Sequence, residues 1–112
     1  MEDGGDVPMA WLCLVVAGLF EVAWAVALKF TDGFTKLWPS AAAIALMIVS
    51  FALLSVAYQR IPVGTAYAVW TGIGAAGTAM MGVLLFGEPA SAPRLVCLAA
   101  VTAGVVGLKV AS

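Results

Sequence analysis

Histidine is absent from this sequence, and cysteine occurs only twice, at Cys13 and Cys97, each inside an apolar run. A metal centre built from imidazoles or spaced thiolates has almost no ligands to draw on. Charge is scarce as well: Asp, Glu, Lys and Arg make up 10% of the chain, and the formal net charge is −1. That leaves no basic field for nucleic acid. Also missing are a nucleophile–base pair, a phosphate-cradling glycine loop and a cofactor fingerprint, so the reading is of a protein that is not an enzyme and carries no cofactor.

What is present is apolar. Hydrophobic residues are 64% of the 112 positions, against roughly 45–50% in soluble domains, and the mean hydropathy is +1.13. Leu37–Gln59 and Ile61–Gly87 contain no charged residue, and each exceeds the about 20 residues a spanning helix needs. The start "MEDGGDVP" is acidic rather than basic, so the run from Met9 to Leu28 reads as a retained span, not a cleaved signal.

Four spans are expected, at about 8–30, 37–59, 62–86 and 93–110, within a transmembrane domain of 9–112 that follows a disordered extension of 1–8. They must be helices, because hydrocarbon offers backbone groups no partner and the chain is too short to close a barrel. The connections "TDGFTK", "RIPVG" and "GEPASAP" hold helix-ending Gly, Pro and Asp, and they are too short for a soluble domain. Pro39, Pro62 and Pro93 sit near helix starts, where a missing N–H is harmless.

The fourth span is marginal. Its uncharged part, Leu95–Leu108, is short for a core roughly 30 Å thick, so Arg94 and Lys109 must snorkel or find partners. In the third span, "TGIGAAG" places Gly72, Gly74 and Gly77 mid-helix, where either a kink or close helix contact is expected. Ala100, Ala103, Gly104 and Gly107 form a strip of small residues suited to a dimer contact. The first and third loops carry Lys29, Lys36 and Arg94 against Arg60 and Lys109 on the other side. Three against two is hardly a bias, so the chain can insert in both orientations.

One acidic residue interrupts this pattern. Glu21 lies about halfway along the first span, where an ionised carboxylate costs roughly 2.5–3.5 kcal/mol even on the gentler insertion scales. Ala17, Gly18, Trp24, Ala25 and Leu28 share its helix face, outlining a pocket with small residues beside the acid and one indole a turn away. Trp24 is too deep for the interfacial belt, which is the better reading of Trp11 and Trp38. In the third span Tyr67, Trp70 and Thr71 share a second polar and aromatic face, while Ser50 and Ser55 are weaker signals. A buried carboxylate with aromatic walls suits a small organic cation that exchanges with a proton, the core of an antiporter.

The stretches "MAWLCLVVAGLFEVAWAVALKFTDGFTKLWPS", "IPVGTAYAVWTGIGAAGTAMMGVLLFGEP" and "GVVGLKV" closely resemble the small multidrug resistance family, four-helix bacterial membrane proteins, in its guanidinium-exporter (Gdx, SugE-like) subtype. The pairing of Glu21 with Trp24 is that subtype's mark. The resemblance implies an all-α, dual-topology antiparallel homodimer of the bacterial plasma membrane, exporting guanidinium in exchange for protons by alternating access. It further implies that Gly18, Glu21, Trp24, Ser50, Tyr67 and Trp70 form the substrate and proton site, with Lys109 in support and Gly72, Gly74 and Gly77 as a bending point. Guanidinium fits on chemical grounds too, since its planar fork of donors matches a carboxylate. Two other readings stay open: a broader exporter of quaternary ammonium compounds, and a non-transporting subunit of a heterodimeric pair.

Overall fold

The computed structural model describes residues 6–111. Four helices occur among them: α1 (Asp6–Phe30), α2 (Leu37–Ala57), α3 (Val63–Phe86) and α4 (Ala92–Ala111). Each is long and apolar enough to cross a membrane. The helix α1 starts before Pro8, so 6–8 of the segment expected to be disordered are helical, while 1–5 of it lie outside the described residues. Proline is tolerated within a first helical turn, where the N–H has no intrahelical partner to lose.

The other limits follow local chemistry. The helix α2 ends at Ala57, two residues short of the expected Gln59, because the chain tightens through Tyr58–Ile61 ahead of Pro62. After α1, Thr31 closes the turn from both sides: its hydroxyl donates to the Leu28 carbonyl at 2.8 Å and accepts the Phe34 N–H at 3.1 Å. Gly87 ends α3 at φ +65°, and the Glu88 N–H reaches back to the Gly82 carbonyl at 3.2 Å. The helix α4 spans 20 residues, about 30 Å of rise, which includes both of its charged ends.

The helix α1 is central and packs along both α2 and α3, whereas the backbone of α4 comes close only to α3. The core joins Trp11, Leu14 and Ala17 of α1 to Leu54 and Ala57 of α2 and to Ala66, Val69 and Trp70 of α3. No residue of α4 is buried. The chain forms a slab of 45 × 37 × 17 Å with large apolar side chains such as Leu19, Ile48, Leu84 and Val96 on its outside. Such a surface suits lipid or another copy, not water.

Trp11 corrects one expectation. It is only 8% exposed and belongs to the core, with the Lys109 ammonium 4.9 Å from its ring centroid. Near a helix end an indole can face the interior as well as the interface, and here a cation on α4 covers it. Trp38, 80% exposed at the start of α2, fits the interfacial reading.

Candidate functional site

Glu21 sits in the middle of α1 on the side that faces α3. Opposite it α3 places Gly74, where a Cβ would fall directly on the Glu21 carboxylate. The same closeness recurs at Gly77, whose Cβ would meet Val22, and at Gly72, whose Cβ would meet Val105 of α4. All three glycines therefore serve close helix contact, and α3 runs through them as one continuous helix. Gly18 works the same way from α1, since a Cβ there would lie 2.7 Å from Ile73.

The room expected beside Glu21 at Ala17 and Gly18 is thus filled. Ala17 is fully buried, and Ile73 occupies the space that Gly18 leaves. Small residues on a membrane helix let a neighbour approach, and the neighbour takes up the volume.

Two polar atoms on this face have no protein partner. Glu21 Oε1 and Trp24 Nε1 are both buried and make no hydrogen bond. One is an acceptor when ionised and the other is a donor only. Buried polar groups are nearly always paired, so an unsatisfied acceptor and donor a single turn apart make this face the candidate site.

From Trp24 an aromatic chain runs across the bundle. Its ring meets Phe51 of α2 at 6.2 Å, Phe51 meets Trp70 of α3 at 5.5 Å, and Trp70 meets Tyr67 at 5.7 Å. These tilted contacts lie in the favourable range for aromatic pairs. Phe51 is a residue that the sequence reading missed. In an all-apolar helix nothing distinguishes one phenylalanine from lipid-facing neighbours, and only the arrangement of α2 against α1 and α3 brings it between two tryptophans.

Ser50, a weak signal from its residue type, joins three helices. Its hydroxyl donates to the Ala17 carbonyl of α1 at 2.8 Å and accepts the Trp70 indole N–H at 3.0 Å. The result is a closed, fully buried knot beneath the aromatic chain. Trp70 is therefore held rather than free to donate elsewhere. The Thr71 hydroxyl is satisfied by its own helix, donating to the Tyr67 carbonyl at 2.8 Å, and Ser55 is exposed. Tyr67 is 53% exposed at the outer end of the chain of rings.

Lys109 is not brought to this site. It caps Trp11, which lies ten residues before Glu21 along α1, about 15 Å of helical rise. A cavity of about 460 Å³ beside it is lined almost wholly by apolar side chains of α1, α3 and α4 and holds no carboxylate. At the other end, a second cavity of about 420 Å³ lies between α1 and α3 and starts one turn beyond Glu21, at Ala25 and Thr78. Lys29 and Arg94 line its mouth, as two cations on the same side of the slab. The small-residue strip Ala100, Ala103, Gly104 and Gly107 is exposed on α4, and a Cβ at Gly104 or Gly107 would meet nothing.

The family model for the small multidrug resistance protein matches residues 9–101. The chain belongs to the small multidrug resistance family. It is 58% identical over 104 residues to a guanidinium exporter of Citrobacter freundii, covering 93% of this chain and 99% of that protein. It is 56% identical to a guanidinium exporter of Proteus vulgaris and 55% identical to one of Salmonella typhi, in each case over 93% of this chain and at least 99% of the relative. With four spanning helices and such bacterial relatives, this family member is a multi-pass protein of the bacterial inner membrane.

Proposed function

We propose that this small multidrug resistance protein exports guanidinium ion in exchange for protons, by alternating access of an antiparallel homodimer. The observation that carries the reading is the pair of buried, unpartnered atoms, Glu21 Oε1 and Trp24 Nε1, one turn apart in the middle of a membrane span. The names of the relatives supply the substrate class.

The chemistry runs through Glu21. A proton and an organic cation compete for one carboxylate, so binding of either releases the other. Guanidinium offers its planar donors to the carboxylate, and in the loaded site the Trp24 N–H, unpaired at rest, turns to donate to the same carboxylate. Gly74 leaves Glu21 the space to turn between the two. The rings from Trp24 to Tyr67 give the cation apolar and π-rich walls, while Ser50 fixes Trp70 behind them.

A slab 17 Å thick does not enclose an ion path, and a second copy supplies the missing wall. The exposed strip Ala100, Ala103, Gly104 and Gly107 is the contact through which α4 helices pair, bringing two copies of Glu21 to one site. The near-balance of Lys and Arg between the two sides permits the opposed orientations that an antiparallel pair needs. Gly72, Gly74 and Gly77 let α3 bend differently in the two subunits. Lys109 supports the fold through Trp11 and has no direct part in binding.

The test is electrogenic current from purified protein on a solid-supported membrane. Guanidinium is expected to evoke saturable currents whose apparent affinity improves as pH rises, because protons compete less. Currents from tetraalkylammonium ions of equal or greater size, with none from guanidinium, would overturn the substrate assignment in favour of a broader quaternary ammonium exporter. A chain that is silent alone and fixed in one orientation would instead be the subunit of a heterodimeric pair.

A further inference from the structure

The cavity that starts beyond Glu21 is lined at its mouth by a guanidinium that already belongs to the protein. Arg94, in the first turn of α4, donates from one nitrogen to Glu88 Oε1 at 2.6 Å and to the Ala79 carbonyl at 3.2 Å. Both acceptors come from the end of α3 and the loop after it. Gly82 makes the arrangement fit, since a Cβ there would fall on the Glu88 carboxylate. The cavity wall adds Thr78, whose buried hydroxyl oxygen has no hydrogen-bond partner, and Phe86, whose ring lies 5.5 Å from the Lys29 ammonium.

We propose that Glu88 and the Ala79 carbonyl form a second, peripheral guanidinium site at the mouth of the α1–α3 cavity, which Arg94 occupies as a built-in surrogate and a guanidinium ion takes by displacing it. The inference rests on the export reading for its ligand, and on the geometry of this mouth for its place. The free ion carries the same delocalised charge and N–H donors as the arginine head group whose single nitrogen bonds both acceptors here.

Displacement is easy by the exposure of the pair. The Arg94 and Glu88 side chains are 29% and 46% exposed, and ion pairs this open to solvent are weak and exchange readily. The released Arg94 has a long stem that reaches the headgroup region. Lys29 on the wall of the same cavity lies two turns from Glu21, about 12 Å of helical rise, and Thr78 is a further acceptor on that wall. Without Glu88 the mouth would present only Lys29 and Arg94, two cations that repel the substrate. The carboxylate thus makes the mouth passable and raises the local concentration of the ion.

The experiment uses the full chain in lipid nanodiscs, carrying Glu21→Gln so that the central site is silent, with ¹⁵N-labelled arginine. Arg60 and Arg94 are the arginines of this sequence, so two side-chain Nε signals report. Guanidinium chloride is expected to shift the Arg94 signal saturably, and sodium chloride at equal ionic strength is expected to leave it in place. Adding Glu88→Gln removes the response. Equal shifts with both salts, no shift, or a shift that survives Glu88→Gln would overturn the site. With Glu21 intact, Glu88→Gln is expected to raise KM for guanidinium about two- to fivefold with the maximal current preserved; an unchanged KM counts against the site. An unresponsive Arg94 in a chain that transports guanidinium sinks the peripheral site alone. A responsive Arg94 in a chain that does not transport it sinks the export reading alone.

Discussion

Two groups of polar atoms are buried between α1, α2 and α3, and they differ in what they have to bond. The Ser50–Trp70–Ala17 knot is closed: every donor in it has an acceptor, at 2.8 and 3.0 Å. The Glu21–Trp24 pair is open, with one acceptor and one donor left unsatisfied a turn apart. A closed set rigidifies its surroundings, and an open set is poised to take a ligand. The difference separates the two tryptophans, both indoles near the same phenylalanine: Trp70 is anchored by its N–H, and the Trp24 N–H has no partner, which on the proposed function leaves it for the substrate site.

The largest break in that comparison comes from Glu21→Gln. It is expected to abolish proton-coupled guanidinium current while leaving a folded, membrane-inserted protein, because a neutral amide of the same shape replaces a carboxylate that has no partner to lose. Guanidinium-driven currents that persist in Glu21→Gln would falsify the central role of this residue. Gly74→Ala should follow, as its Cβ falls on the carboxylate. Overpacking of this kind costs typically about 1–3 kcal/mol, read as a lowered melting temperature in detergent together with weakened transport.

Substituting the indoles sharpens the contrast. Trp24→Phe keeps a ring beside Phe51 and removes an N–H that is unpaired at rest. Stability should hold, while apparent guanidinium affinity falls about tenfold, the loss of one hydrogen bond to a charged group. Trp70→Phe should do the reverse, leaving affinity near wild type and lowering stability by about 1 kcal/mol. In a double-mutant cycle Trp70→Phe and Ser50→Ala should be clearly non-additive, since they remove the same bond; additive losses would mean the knot is not a unit. The smallest effect belongs to Thr71→Val, whose hydroxyl bonds only to its own helix. Its transport and melting temperature should stay near wild type, within about 0.5 kcal/mol.

Most of the fold was legible because a membrane narrows the choices. Charge-free runs bounded by Gly and Pro mark helices, and the observed limits at Leu37, Val63, Phe86 and Ala92 fall within a residue of those expected. Glu21 stood out for the same reason, as the lone acid within a span. The misses share a physical cause, namely that spacing along one helix says nothing about which neighbour fills the groove. Gly18 reads as open space, yet Ile73 occupies it. Trp11 reads as interfacial, yet Lys109 of α4 closes over it. Ser50 carries little weight by residue type, since its importance lies in a carbonyl of α1 and an indole of α3 that only packing brings together. Phe51 had no signal at all.

The thinness of the slab reaches beyond geometry, into how activity depends on gene dosage. On the proposed pairing, a protomer 17 Å thick whose fourth helix buries no residue is half a machine, and assembly within the bilayer precedes any turnover. When copies are sparse, the number of working pairs follows mass action and rises with the square of their density. If export runs through such pairs, weak expression should give a cell almost no efflux and a modest induction a disproportionate gain, so that abundance itself acts as a threshold.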